Sequence, residues 1–277
     1  MGQTILEILI APALVGVATL VGRRWGAGVG GLVSAFPAVV GPVLLIIAQQ
    51  RGNVAAERAA TATLLGLVAL SGFALAYARA AGETRWPASL TAGWVCAIAA
   101  AAIAGWLLAD AGLPAAMMAA VLSLALARRA LPRSGSPYEG SPTAQSHGDI
   151  VVRMTLTAAL IVVLTALSDL FGPLVGGMLA ALPVLASVLA VFTHRTHGAE
   201  ATIGLLGGML TGMAGFVAFC AAIALLVVPA GTAVAFTGAT ACAVAAQALI
   251  LRSGIGLTAS RVHPAPTPCS ASEASSA

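Results

Sequence analysis

The side chains that could perform acid–base or metal chemistry are few and widely spaced along the chain. His194 and His197 lie three residues apart, and on a helix such a pair could share a metal ion or a proton. No third ligand lies near them in the sequence, and Gly198 favours a helix end there, so a solvated basic end is the favoured interpretation. The sequence carries no nucleophile-elbow, zinc-protease, phosphate-loop or kinase motif. It therefore predicts no enzyme, no catalytic residue, no metal site and no cofactor.

Two glutamates are the remaining candidates for a functional charge. Glu57 and Glu200 are each predicted to lie in the first turn of a helix, where the helix dipole favours a carboxylate. An interfacial role is favoured for both. The alternative makes them gating residues on opposite membrane faces, Glu57 together with Arg58, and Glu200 near His194 and His197. Carboxylates are absent from the centres of the predicted spans, which weakens the case for an ion-coupled pump.

One stretch of the chain occurs twice. Residues 30–41 read GGLVSAFPAVVG, and residues 176–187, which lie 146 positions further on, read GGMLAALPVLAS. Other pairs follow the same register, with one local three-residue gap. These pairs are Gly26 with Gly172, Gly52 with Gly198, Glu57 with Glu200, Gly72 with Gly215, Phe73 with Phe216, and Cys96 with Cys242. Self-similarity over most of both halves indicates an internal duplication.

The prolines of the duplicated stretch are the strongest candidates for a binding site. Pro37 and Pro183 are predicted to lie in mid-span, where a proline removes a helical hydrogen bond and frees a carbonyl group, and Pro42 adds a second break in the first copy. Broken helices at matching positions of two halves point to a transporter's substrate site. The predicted substrate-pathway residues are Ser34, Pro37, Gly41, Pro42, Pro183 and Ser187. The alternative, close packing of kinked helices, is slightly favoured over binding.

The composition is that of a chain that spans a membrane repeatedly. Of its 277 residues 60% are hydrophobic and only 8% are charged, and the mean hydropathy is +1.01. Apolar runs near the length needed to cross a bilayer recur throughout. We therefore predict an all-α integral membrane protein with about nine transmembrane helices. The predicted spans are 3–21, 27–48, 54–80, 86–109, 115–131, 150–170, 173–193, 200–228 and 231–251. Gln247 is the strongly polar side chain deep in a late span, and it could simply hydrogen-bond another helix.

The distribution of arginines predicts the orientation of these spans. The net charge of +4 does not indicate nucleic-acid binding, because the arginines are scattered at helix ends. With the N-terminus periplasmic and the C-terminus cytoplasmic, only Arg51 and Arg58 fall outside, as the positive-inside rule requires. Because the fifth span adds one membrane crossing between two four-helix halves, the second half has the opposite orientation in the membrane. This predicts a four-plus-one-plus-four inverted-topology repeat in the bacterial cytoplasmic (inner) membrane.

This arrangement divides the chain into four parts. Residues 1–110 form the first four-helix repeat, and residues 111–149 form a linking helix and a flexible cytoplasmic loop. Residues 150–252 form the second, inverted four-helix repeat. Residues 253–277 form a disordered cytoplasmic tail that is rich in serine, alanine and proline.

The first copy and its continuation resemble the GlpM family of small bacterial membrane proteins. The residues that carry the resemblance are AGVGGLVSAFPAVVGPVLLIIAQQRGNVAAERAATATLLG, positions 27–66, with Gly31, the Phe36-Pro37 pair, the Arg51-Gly52 exit and Arg58. The second half is less similar, since Leu182 and His197 replace two of these residues. The resemblance implies that two family-like units are fused through an extra helix. The family is associated with exopolysaccharide (alginate) production.

The function predicted from these features is that of an inner-membrane transporter or permease. Its substrate would be a neutral or weakly polar small molecule or a lipid-like molecule, because no arginine cluster lies inside the spans. The alternative is a non-transporting membrane scaffold or assembly factor for an envelope system such as exopolysaccharide biosynthesis. The predicted partners are the lipid bilayer and that substrate, without nucleic acid. A homo-oligomer and an envelope protein partner both stay open.

Overall fold

The regular structure of the described chain is entirely helical. The computed structural model describes residues 40–108, 112–132 and 183–253, together with the single positions 20, 24, 32, 34, 35 and 155. The helices within these ranges are α1 (Val40–Arg51), α2 (Asn53–Ala81), α3 (Trp86–Leu108), α4 (Leu113–Ala130), α5 (Val184–Leu226) and α6 (Gly231–Ser253). The predicted segments 3–21 and 150–170, the predicted loop after α4 and the predicted tail lie outside the described residues, apart from those single positions.

Five of these helices, α2 to α6, are long and apolar enough to cross a membrane. The chain is therefore a multi-pass helical membrane protein. The bounds of α2, α3, α4 and α6 agree within two residues with the predicted spans 54–80, 86–109, 115–131 and 231–251. The agreement arises because each helix contains a long apolar run, and any charged side chains lie in its first or last two turns.

Helix α5 is two helices joined at a glycine. Gly198 has φ 81° and ψ −175°, which no helical residue adopts, so α5 divides into α5a (184–197) and α5b (199–226). Leu185, Leu189 and Leu205 pack together in one small cluster. In a straight helix Leu189 and Leu205 would lie about 24 Å apart. The chain therefore folds back on itself at Gly198, as the separate predicted spans 173–193 and 200–228 require.

Small residues at helical spacing allow these helices to pack closely. Helix α2 contacts α1, α3, α4 and α5, and α6 packs along α5. The outer helices bury narrow stripes of mostly small side chains, whose members are Ser89, Gly93, Ala97 and Ala104 on α3, Ala116, Ala120, Leu124 and Ala127 on α4, and Ala235, Ala239 and Ala243 on α6. In lipid, where apolar surface alone does not drive association, such stripes allow the backbones to approach closely. The opposite faces carry large apolar side chains such as Ile98, Trp106 and Leu249, which suit contact with lipid.

Helix α2 defines the two ends of the bundle. At its start, the Thr232 hydroxyl at the beginning of α6 donates a 2.9 Å hydrogen bond to Asn53 Oδ1. Near its other end, the Tyr77 hydroxyl lies 3.3 Å from His194 Nδ1 on α5a. Along a helix these two positions are about 36 Å apart. We call them the Asn53 end and the Tyr77 end. Arg79 also bonds the Ala130 carbonyl, which places the end of α4 at the Tyr77 end.

Candidate functional site

The aligned glycines Gly52 and Gly198 share one unusual backbone conformation at opposite ends of the bundle. Gly52 has φ 87° and ψ 169°, and Gly198 has φ 81° and ψ −175°. This region of backbone space is essentially restricted to glycine. Gly52 precedes Asn53, whereas Gly198 comes one helical turn after His194, which contacts Tyr77. Each glycine thus ends one helix and starts the next, the first at the Asn53 end and the second at the Tyr77 end.

A second aligned pair, Gly72 and Gly215, makes similar contacts with the helix that follows each of them. A Cβ atom on Gly72 would lie 3.3 Å from the carbonyl oxygen of Cys96 on α3. A Cβ atom on Gly215 would lie 3.2 Å from the carbonyl oxygen of Ala243 on α6. At both positions, therefore, a glycine lets the next helix approach to backbone contact. The pairing of α2 with α3 is repeated by the pairing of α5b with α6.

The proline of the second copy lies at a helix start. Pro183 has φ −77° and ψ 56° and directly precedes α5a, which begins at Val184. Its carbonyl oxygen accepts bonds from both the backbone N–H (2.9 Å) and the hydroxyl (2.8 Å) of Ser187. The buried Ser187 hydroxyl is therefore engaged within its own turn. The predicted helical stretch before Pro183 lies outside the described residues.

In the first copy, the described residues on either side of Pro37 belong to separate helical pieces. Ser34 is helical, Ala35 lies in a turn, and α1 begins at Val40. Pro37 itself lies outside the described residues. Pro42, which was predicted to add a second break, is the third residue of α1. Residues 36–39, directly before α1, lie outside the described residues, so the predicted break stays a prediction.

Gly212, in the middle of α5b, brings the first copy and α6 together. A Cβ atom there would lie 2.7 Å from Ala35 Cβ and 2.8 Å from the Leu32 carbonyl oxygen. Ser34, which lies between Leu32 and Ala35 in the sequence, is buried. Gly41 is also buried, and a Cβ atom on Gly41 would lie 3.4 Å from the Phe219 ring. Gly41, a predicted pathway residue, therefore packs against α5b, and Ser34, another, is buried within the segment that contacts Gly212.

Gln247 of α6 forms a hydrogen bond to Gly212. Its Nε2 donates a 2.9 Å hydrogen bond to the Gly212 carbonyl oxygen, which confirms the predicted bond between helices. Its Oε1 is buried and has no hydrogen-bond partner within the part of the chain that the structure describes. Leaving a buried acceptor unpaired costs about 1–3 kcal/mol. Its polarity deep in a late span was the only sequence signal for this site.

The predicted gating residues are distributed between the two ends. Glu57 is half-buried in the second turn of α2, since that helix begins at Asn53, so the prediction of a first-turn position is wrong. Arg58 beside it is exposed. Glu200 is exposed near the start of α5b, at the Tyr77 end. The two glutamates are thus not brought together.

The two histidines have different partners. His194 lies edge-on to the Tyr77 ring, with ring centres 5.9 Å apart, whereas His197 Nδ1 lies 2.6 Å from the Thr196 hydroxyl. Among the described residues, no group of three or more His, Cys, Asp or Glu side chains could hold a metal ion. Arg195, next to His194, stacks over Trp86 at 5.5 Å. The contact of His194 with Tyr77 joins α5a to α2, and the contact of Arg195 with Trp86 joins α5a to α3. Sequence reasoning did not select Tyr77, although a tyrosine in an apolar helix usually needs a hydrogen-bond partner.

The family models, curated proteins and solved structures with which the chain was compared include none that matches it. The resemblance to the GlpM family stays a prediction from the residues of the first copy.

Proposed function

We propose that the chain is a transporter or permease of the bacterial inner membrane, built from two inverted GlpM-like halves joined through α4. The observation that carries this proposal is the position of the two exit glycines. Gly52 and Gly198 occupy matching sequence positions and share one conformation, yet they lie at opposite ends of α2. The helix before Gly52 ends at the Asn53 end of the bundle, whereas its counterpart before Gly198 ends at the Tyr77 end.

The orientation follows from the arginines of the described helices. The Asn53 end carries Arg51 and Arg58. The Tyr77 end carries Arg79, Arg85, Arg128, Arg129, Arg195 and Arg252. Because cytoplasmic loops are enriched in arginine, the Tyr77 end is the cytoplasmic face. The N-terminus is then periplasmic and the C-terminus cytoplasmic.

The middle of the bundle is where a substrate would bind. Matching discontinuous helices of inverted halves place transporter sites near the bilayer midplane. The described acidic side chains, Glu57, Glu83 and Glu200, lie near helix ends, and the contact around Gly212 consists of glycine, alanine, leucine and glutamine. Such a lining favours an uncharged small molecule or a lipid-like molecule.

Flux into proteoliposomes tests this proposal. Glycerol and urea entry is followed by stopped-flow light scattering, and the flipping of a fluorescent short-chain glucosyl lipid by dithionite quenching. We expect at least one probe to move several-fold faster than in protein-free liposomes and in liposomes with heat-inactivated protein. Rates equal to both controls for all three probes would contradict transport and favour the scaffold alternative.

A further inference from the structure

The amide of Gln247 presents a buried hydrogen-bond acceptor where α6 packs against Gly212 of α5b. Its nitrogen is fixed by the Gly212 carbonyl oxygen at 2.9 Å, which orients the oxygen. That oxygen, Oε1, is shielded from solvent and has no donor among the residues in the described ranges. Buried polar side-chain atoms are paired in the large majority of cases, and an unpaired one needs an explanation.

The packing around this amide is made by two glycines on one face of α5b. A Cβ atom on Gly215 would lie 3.0 Å from Gln247 Cγ and 3.1 Å from its Nε2. Gly212, three residues earlier, approaches the Leu32 carbonyl oxygen and Ala35. The amide is therefore bonded to a glycine that also contacts the first copy of the duplicated stretch, just before its Phe-Pro pair. It is held in one orientation by contacts that leave its oxygen unused.

The chemistry of a carbonyl oxygen selects what could pair with it. An amide oxygen accepts hydrogen bonds and has no proton to donate, so it pairs with a hydroxyl or an N–H group and disfavours an anion. Glu57, Glu83 and Glu200, the acidic residues of the described ranges, lie near helix ends. Close to Gln247 the described part of the chain therefore offers no carboxylate to neutralise a cation.

We propose that Gln247 Oε1 is the substrate-binding acceptor of this protein, and that the substrate is an uncharged molecule that donates a hydrogen bond through a hydroxyl or N–H group. This inference rests on the proposed transport function. The substrate supplies the donor that the described residues lack, and the bond between Gln247 and Gly212 keeps the acceptor in place before binding.

Gln247→Met tests the assignment, because methionine keeps the length of the side chain but replaces the amide by a thioether, which is only a weak acceptor. The probe is whichever of glycerol, urea and the glucosyl lipid the wild type carries fastest. We expect its initial rate at low concentration to fall at least fivefold, with a higher half-saturating concentration and a melting temperature close to that of the wild type. Gln50→Met is the matched control, since Gln50 is an exposed glutamine at the end of α1, and its flux should equal that of the wild type.

Gln247→Asn keeps the amide oxygen and the amide NH2 on a shorter side chain and should restore part of the flux. Unchanged flux in Gln247→Met overturns the assignment while transport stands. A large fall in melting temperature for both Gln247 variants also overturns it, since the amide would then serve to hold α6 against α5b. If the wild type carries none of the probes, the proposed function fails and this inference fails with it.

Discussion

Gly212→Ala is expected to lower the free energy of unfolding by about 2–3 kcal/mol, the cost of overpacking a site that cannot relax. The added methyl would lie 2.7 Å from Ala35 Cβ, 2.8 Å from the Leu32 carbonyl oxygen and 3.1 Å from Leu32 Cα. Two of these three atoms belong to the backbone, so no side-chain rotation relieves the clash. The first copy must move away from α5b. Thermal unfolding of the purified protein in detergent would measure the loss.

Gly204→Ala is the control for this substitution, because Gly204 lies in the same helix and a Cβ atom there would meet nothing within 4 Å. Alanine favours a helix over glycine by about 1 kcal/mol, so this variant should be as stable as the wild type or slightly more stable. Equal stability of Gly212→Ala and Gly204→Ala would contradict the close contact between the first copy and α5b.

Gly52→Ala and Gly198→Ala are each expected to cost about 1–3 kcal/mol, the cost of holding a residue with a side chain in this backbone region. Neither position has any atom within 4 Å of an added Cβ, so the whole effect comes from the backbone conformation. Since the two glycines share nearly the same φ and ψ, the two losses should be similar. Thermal unfolding in the same detergent would compare them.

Gly82→Ala is the control for this pair, since Gly82 has ordinary helical angles of φ −69° and ψ −24° at the end of α2. It should leave the melting temperature close to that of the wild type. A neutral result at Gly52 combined with a loss at Gly198, or the reverse, would contradict an equivalent role of the two glycines in the two halves.

The sequence was sufficient to predict four of the described helices closely, and one pair of aligned glycines shares a backbone conformation. Apolar run length fixed the spans that became α2, α3, α4 and α6, because a helix in lipid satisfies its own backbone and needs no information from elsewhere in the chain. The alignment of Gly52 with Gly198 predicted equivalent positions, and the structure gives them the same backbone conformation. A backbone conformation is a local property, so a glycine between two apolar runs is enough to indicate that one helix ends there and another begins.

The contacts of the candidate site could not be predicted in the same way. The approach of Ala35 to Gly212 depends on how two helices distant in sequence are packed, and many glycines in this chain would look equally suitable. Pro183 was expected inside a helix, but a proline tolerates a helix start equally well, and only the fold distinguishes the two. Likewise, the polarity of Gln247 was visible, whereas its unpaired oxygen depends on which groups surround it.

The inverted arrangement is tested most directly by the side of the membrane on which two aligned residues lie. Gln50 and Thr196 occupy matching positions just before the two exit glycines, and both are exposed. Each would be replaced by cysteine in a chain whose four native cysteines are changed to alanine. A membrane-impermeant maleimide is then applied to spheroplasts before and after permeabilisation. We predict that Gln50→Cys is labelled from outside and that Thr196→Cys is labelled only after permeabilisation. Labelling of both cysteines from the same side would contradict the inverted repeat.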